Sequence, residues 1–137
     1  TIPNTVTKLG KNCFCRCNKL TKIELDENLL EIGEYCFQYC KSLKEITIAN
    51  EWKFEGDRLF RNKEGVLSSF ILPTTIQRIN GQNVVSKQLT SYTIPTNVTK
   101  INNYCFVNCK ELTEIKGIEQ IKEFGNNCFR NCDKLNF

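Results

Sequence analysis

Nine of the 137 residues are cysteines, and eight of them form four pairs with the spacing CxxxC. The pairs are Cys13/Cys17, Cys36/Cys40, Cys105/Cys109 and Cys128/Cys132. Thiols at such spacings can form disulfides, bind zinc or fill a tight apolar space. The chemistry of this chain therefore depends on which of the three roles the cysteines have.

The spacing disfavours a bridge within a pair. On a helical turn, Cβ atoms at i and i+4 lie about 5–6 Å apart, whereas a disulfide needs about 3.5–4.5 Å. Bridges between parallel neighbours about 4.8 Å apart, such as Cys17 to Cys40, and a four-cysteine zinc cluster stay open. Leu59 and Val84 occupy the place of Cys36 in other copies of the pattern. Since a ligand or a bridge would not survive that exchange, we expect the cysteines chiefly to pack in the interior, with Cys15 as an exposed free thiol.

The chain contains no histidine, which removes the commonest general base near neutral pH and a common metal ligand. The glycines lack the spacing of a phosphate-binding loop, and no convergent polar cluster is visible. We therefore expect no catalytic residue, no cofactor, no metal site and no enzymatic activity.

The cysteines belong to a repeated unit, which is clearest in LTKIELDENLLEIGEYCF at residues 20–37. Leu20, Ile23 and Leu25 recur as Leu43, Ile46 and Ile48. A second apolar column has members 23, 23, 25, 21 and 23 residues apart, namely Phe14, Phe37, Phe60, Val85, Phe106 and Phe129. Self-similarity at a fixed period of about 23 residues predicts a stacked array of coils.

Each unit contains three pieces. The alternation in LTKIEL predicts a strand with one buried face, the piece LLEIG predicts a bend or second short strand, and CFxxC predicts a short helical turn. The expected fold is an α/β repeat: a solenoid of short strands and short helical turns with a parallel sheet on its concave side.

Residues 1–137 are expected to form one solenoid of about six coils, partial at both ends. The coils at 48–71 and 72–93 are irregular. In the third unit, Trp52 takes the place of Val6 and Glu55 falls where an apolar residue is expected, so a bulge is predicted; Leu67, Phe70 and Leu72 are aligned with the strand of the previous unit. Uncapped ends predict a longer parent protein or end-to-end self-association.

The order LxxIxL, PxxVTxIG and CFxxCxxLTxI resembles the BspA-like leucine-rich repeat family. The Ala of that family's usual Ala-Phe pair is replaced here by Cys13, Cys36, Cys105 and Cys128. The resemblance implies a right-handed solenoid and a role in adhesion or protein binding, often in surface proteins of bacteria and protozoa. It implies no catalytic residues and no particular ligand.

The outward positions of the predicted concave strands form the expected binding surface, because side chains alternate across a strand and a rigid sheet is preorganised. These positions are Lys22, Glu24, Asp26, Glu45, Thr47, Ser69, Ile71, Ser91, Thr93, Glu114 and Lys116. Their mixed charges favour a protein or peptide partner, although a merely solvated face is the alternative. Trp52 is a further candidate contact, with a place in the core as its alternative.

The net charge of +4 arises from 19 basic and 15 acidic residues without any block of like charge. Neither nucleic-acid binding nor membrane insertion of these residues is expected. Reduced buried thiols favour a cytoplasmic scaffold or regulator, whereas the family resemblance favours the alternative, a cell-surface adhesin module that binds a host or matrix protein.

Overall fold

A computed structural model describes residues 2, 5–10, 12–29, 31–33, 35–49 and 51–136. Within these residues the strands are β1 (Lys8–Leu9), β2 (Lys22–Leu25), β3 (Glu31–Ile32), β4 (Glu45–Ile48), β5 (Trp52–Glu55), β6 (Arg58–Lys63), β7 (Val66–Ile71), β8 (Arg78–Ile79), β9 (Gln82–Asn83), β10 (Ser91–Thr93), β11 (Lys100–Ile101), β12 (Glu114–Lys116) and β13 (Glu123–Phe124). A one-turn 3₁₀ helix covers Ile118–Gln120. The chain divides into unit 1 (Thr1–Trp52 and Ile71–Ser86) and unit 2 (Lys53–Phe70 and Lys87–Phe137).

The 23-residue period is present in both units as parallel strand pairing. In unit 1, β1 pairs with β3 and β2 with β4; in unit 2, β10 pairs with β12 and β11 with β13. Every partner is 23 positions away, as in Lys22 with Glu45 and Ser91 with Glu114. The stacked leucine-rich repeat coils that the sequence predicts are therefore confirmed in these stretches.

The predicted helical turns at the CFxxC segments are wrong for the described residues. The segments are successive β-turns, in which Cys105 N–H donates to Asn102 O at 3.3 Å and Val107 N–H to Tyr104 O at 3.2 Å. Residues four positions apart adopt left-handed backbone conformations, with φ of 59° at Tyr104 and 61° at Asn108. The intervening N–H groups point to the next coil: Phe106 N–H donates to Cys128 O at 2.8 Å. Residue types that recur every four positions are thus typical of a helix, but here the backbone forms β-turns.

The third repeat, which begins near Trp52, is an antiparallel meander and not a bulged coil. Strands β5, β6 and β7 are neighbours in one sheet and are joined by two-residue turns at Gly56-Asp57 and Glu64-Gly65. Glu64 and Gly65 have φ of 52° and 84°, the pair of left-handed residues that a tight hairpin turn favours. Connections this short permit only antiparallel pairing.

The alignment of Leu67 and Phe70 with the concave strands is wrong as well. Strand β7 pairs in parallel with β11, so that Val66 lies opposite Lys100 and Leu67 opposite Ile101. Likewise, β8 pairs with β4 through Glu45 and Arg78, although Ile76 and Ile79 have the spacing of Leu29 and Ile32 in the bend piece. Val85, which was expected in the phenylalanine column, is 73% exposed.

Aromatic stacking fills the interior of each unit. The rings of Phe14 and Phe37 stack at 5.6 Å in unit 1, and those of Phe106 and Phe129 at 5.7 Å in unit 2. In unit 2, Phe60 from the meander also packs against Phe106 at 5.6 Å. The single continuous solenoid over residues 1–137 stays a prediction.

Candidate binding faces

Unit 1 presents a polar surface that we call face 1, formed by Lys22, Glu24, Glu45, Thr47 and Arg78. Their strands β2, β4 and β8 lie side by side, and the alternation of the strands buries Ile23 and Ile46 on the opposite side. Lys22 lies opposite Glu45, and Glu45 opposite Arg78. The three charges therefore form one row of alternating sign across the sheet.

Arg78 and Glu45 form the best-defined ion pair of face 1. The guanidinium Nε donates to Glu45 Oε1 at 2.7 Å, and this hydrogen bond holds the pKa of Glu45 below its ordinary value. Arg78 is not among the predicted contact residues, because Ile76 and Ile79 have the spacing of the bend piece and not that of a concave strand. The buried residues Ile76 and Ile79 lie three positions apart, so the period of two that identifies a strand with an outward arginine is missing here.

Unit 2 presents a smaller surface, face 2, formed by Ser91, Thr93, Glu114 and Lys116. All four are exposed, and the parallel register places Ser91 opposite Glu114 and Thr93 opposite Lys116. Lys116 Nζ lies 3.8 Å from Glu114 Oε1. Face 2 thus combines the same mixture of charged and hydroxyl side chains on a shorter platform.

Three of the other predicted contact residues lie outside both faces. Asp26 follows β2 and accepts the backbone N–H of Asn28 at 2.9 Å. Ser69 donates its hydroxyl to the carbonyl of Cys105, and Ile71, at the end of β7, is exposed. The predicted stripe is therefore distributed over three sheets, because the meander interrupts the copies.

Trp52 is buried, with 4% of its surface exposed at the start of β5. Its indole offers almost no area to a partner. The structure therefore favours the core interpretation of this residue over the contact interpretation.

The cysteines are all free thiols, and their surroundings differ. Five are buried, namely Cys36, Cys40, Cys105, Cys109 and Cys128, which confirms the packing role for these positions. Cys13 is exposed instead, and Cys15 is half-buried and not fully exposed. Burial raises the pKa of Cys36 and of Cys105 to about 12. In the part of the chain that the structure describes, no three potential metal-ligating side chains gather.

The family comparison matches a BspA type leucine rich repeat region in six copies to residues 1–87 and 84–137. Because the match spans the chain, the protein belongs to the BspA-type leucine-rich repeat family. No curated protein matches the chain.

Two solved bacterial structures share the fold. The first is a leucine-rich cell surface protein from Faecalibacterium prausnitzii, 22% identical with a TM-score of 0.54 over 100% of this chain and 34% of that one. The second is a leucine-rich repeat protein from Eubacterium ventriosum, 20% identical with a TM-score of 0.52 over 94% of this chain and 32% of that one. The chain thus spans about a third of the length of each relative.

Among the described residues, no helix has the length and the apolar character needed to cross a bilayer.

Proposed function

We propose that the protein is a cell-surface binding module that recognises a protein or peptide through faces 1 and 2. The proposal rests chiefly on the geometry of face 1. Backbone pairing fixes three neighbouring strands, so the side chains of Lys22, Glu45 and Arg78 are held about 4.8 Å apart from strand to strand before a partner arrives. A preorganised row loses little conformational entropy on binding.

The charges of the described surfaces suit a protein better than a polyanion. Basic side chains are repeatedly paired with acids, as in Arg78 with Glu45, Lys100 with Glu123 and Lys134 with Glu111. A nucleic acid would instead require basic residues concentrated on one surface. Rows of alternating sign match a partner that carries both charges, and the order of the signs then gives specificity.

The cell-surface location is supported by the relative from Faecalibacterium prausnitzii, which is described as a leucine-rich cell surface protein. The intracellular alternative depended on reduced thiols. Five of the nine cysteines are buried, and buried thiols are protected from oxidants in any compartment. Reduced cysteines therefore argue little for the cytoplasm, and the cell-surface function is the better supported.

Location is tested by labelling cells that express the protein with a membrane-impermeant biotin reagent. The chain should be biotinylated on intact cells to the same extent as after lysis. Labelling that requires lysis would reject the surface location while leaving protein binding untouched.

Partner binding is tested with a photo-crosslinking amino acid at Thr47 of face 1 or Thr93 of face 2. Matched controls carry it at Lys41 and Lys110, which are equally exposed but lie in the turn segments. Crosslinks to proteins exposed on neighbouring cells or in the extracellular matrix should form from the two face positions and not from the controls. The charge reversal Glu45→Lys should abolish the crosslink from Thr47. Equal yields at all four positions would contradict the proposal.

A further inference from the structure

Cys109 and Cys132 occupy equivalent places in two neighbouring coils of unit 2, 23 residues apart. Two backbone hydrogen bonds of 2.8 Å, from Phe106 N–H to Cys128 O and from Asn108 N–H to Arg130 O, tie the coils together next to the thiols. The side chain of Asn131 also donates to Asn108 Oδ1 at 2.7 Å. The positions of both sulfur atoms are therefore set by paired backbone.

Both cysteines bond to the same carbonyl oxygen. The Cys132 thiol donates to Phe106 O at 3.0 Å, and the backbone N–H of Cys109 donates to that oxygen at 3.2 Å. A hydrogen bond from Cys109 to the Cys132 thiolate, together with the charge of Arg58, lowers the pKa of Cys132 to about 7. The same contact and burial raise the pKa of Cys109. One thiol is thus half-exposed and easily ionised, while its partner is buried beside it.

We propose that Cys109 and Cys132 are a modification site: they form a disulfide that joins two neighbouring coils, made by exchange with a small-molecule disulfide such as oxidised glutathione. Neighbouring parallel rungs lie about 4.8 Å apart, within the Cα separation of about 4.4–6.8 Å that a disulfide spans. The inference is independent of the proposed function, because it concerns a covalent bond within the chain.

The exchange balances in two steps. The Cys132 thiolate attacks one sulfur of oxidised glutathione, the disulfide of glutathione breaks, and one glutathione thiolate leaves. Cys109 then gives up its proton and attacks the Cys132 sulfur, so that the mixed disulfide breaks and a second glutathione leaves and takes up a proton. The protein is oxidised by two electrons, and one oxidised glutathione becomes two reduced molecules.

Cys105 and Cys128 are the natural comparison, because they also face each other across the same two coils. Both are buried, and the Ser69 hydroxyl packs beside Cys105 and donates to its carbonyl. An oxidant therefore reaches this pair less readily than it reaches Cys132, since reactivity requires both thiolate and access.

The test uses the reduced full chain incubated with oxidised glutathione, followed by peptide mapping under non-reducing conditions. A peptide that joins Cys109 to Cys132 should appear first. Cys132→Ser should abolish it, Cys109→Ser should leave a persistent glutathione adduct on Cys132, and Cys128→Ser should form the bridge as the native chain does. The map of the native chain needs no variant, so it remains decisive if a variant fails to fold.

Two outcomes would overturn the proposal. One is a glutathione adduct on Cys132 that persists in the native chain without resolving into a bridge. The other is oxidation at other cysteines while Cys109 and Cys132 remain reduced.

The pH dependence provides a second readout. The adduct on Cys132 should form faster as the pH rises, reach half its maximal rate near pH 7 and level off above about pH 8, because the thiolate is half populated at the pKa and almost fully populated about one unit above it. Arg58 lowers that pKa, Asp133 raises it, and Asp57 raises the pKa of Cys109. A rate that keeps rising to pH 9, as for an ordinary thiol, would contradict the thiol pairing.

Discussion

Arg58 is a buried charged residue. It bonds to the repeat that contains Cys105, at the place where a preceding coil would otherwise bond. In unit 1, the carbonyl of Cys36 accepts Phe14 N–H from the preceding coil at 2.8 Å. The equivalent carbonyl, Cys105 O, accepts from the guanidinium of Arg58 at 3.2 Å and from the hydroxyl of Ser69. Arg58 also donates to Val107 O. Side chains from the meander thus replace the backbone N–H groups of a coil.

Replacing Arg58 by Met should destabilise unit 2. The change leaves the buried Val107 carbonyl without its charged donor and weakens the bonding at Cys105, and unsatisfied buried groups cost about 1–3 kcal/mol each. We expect a loss of about 2–4 kcal/mol in urea unfolding. The control Arg130→Met alters an exposed side chain and should change the free energy by less than about 0.5 kcal/mol. Equal losses of unfolding free energy from both substitutions would contradict the claim that the Arg58 side chain replaces backbone N–H donors of a coil.

Thiol reactivity should follow burial. Because the pKa of Cys36 and of Cys105 is raised to about 12, both remain protonated at pH 8 and should react with maleimide only after unfolding. Exposed Cys13 should react at once. Mass spectrometry after a short pulse distinguishes the sites, and rapid native labelling of Cys36 or Cys105 would disprove their packing role.

At this scale the sequence predicted the exposure of Lys22 and Glu24 correctly, because a period of two determines which side of a strand faces water. It could not predict the burial of Arg58. An arginine next to Asp57 and Gly56 looks like a solvated turn residue, and only the tertiary structure supplies the carbonyls that satisfy it.

At the scale of the element, the turn segments replace helices by combining left-handed residues with hydrogen bonds to the neighbouring coil. The sixth coil, which contains Gly125, approaches the fifth coil, which contains Asn102, so closely that glycine follows the strand β13. A Cβ on Gly125 would lie 2.5 Å from the backbone carbon of Asn102, whereas one on Gly10, at the equivalent place in the first copy, would meet nothing within 4 Å.

The substitution Gly125→Ala should therefore cost about 2–3 kcal/mol through backbone displacement. The matched Gly10→Ala should be neutral within about 0.5 kcal/mol. Thermal or urea unfolding measures both. Equal tolerance of the two substitutions would mean that coils five and six do not pack at the distance described.

The sequence predicted the 23-residue strand offset but not the meander. Apolar spacing at Leu67 and Phe70 imitates a repeat strand, and the decisive information lies in the two-residue turns at Gly56-Asp57 and Glu64-Gly65. These turns, and not the apolar spacing, determine the structure of the third repeat, because a tight turn reverses the chain where a coil would continue it. For the same reason, the predicted contact residues Ser69 and Ile71 lie outside faces 1 and 2.

At the scale of the whole molecule, exposed strand edges make self-association a testable prediction. Phe124 in β13 is 51% exposed, and exposed apolar edge strands promote pairing between chains. Sedimentation velocity over a concentration series should show association that Phe124→Lys reduces and the control Thr113→Lys does not. A native chain that stays monomeric at all concentrations would contradict the prediction.

The central claim is that copies of the sequence lie side by side at an offset of 23 residues, with β-turns and not α-helices at the described CFxxC segments. Nuclear Overhauser contacts between backbone protons test it most directly. The account predicts cross-strand contacts from Ile23 to Ile46 and from Tyr92 to Ile115, together with a break of the period where Ile79 joins Ile46. Contacts at another offset, or the sequential pattern of an α-helix at CFxxC, would contradict it.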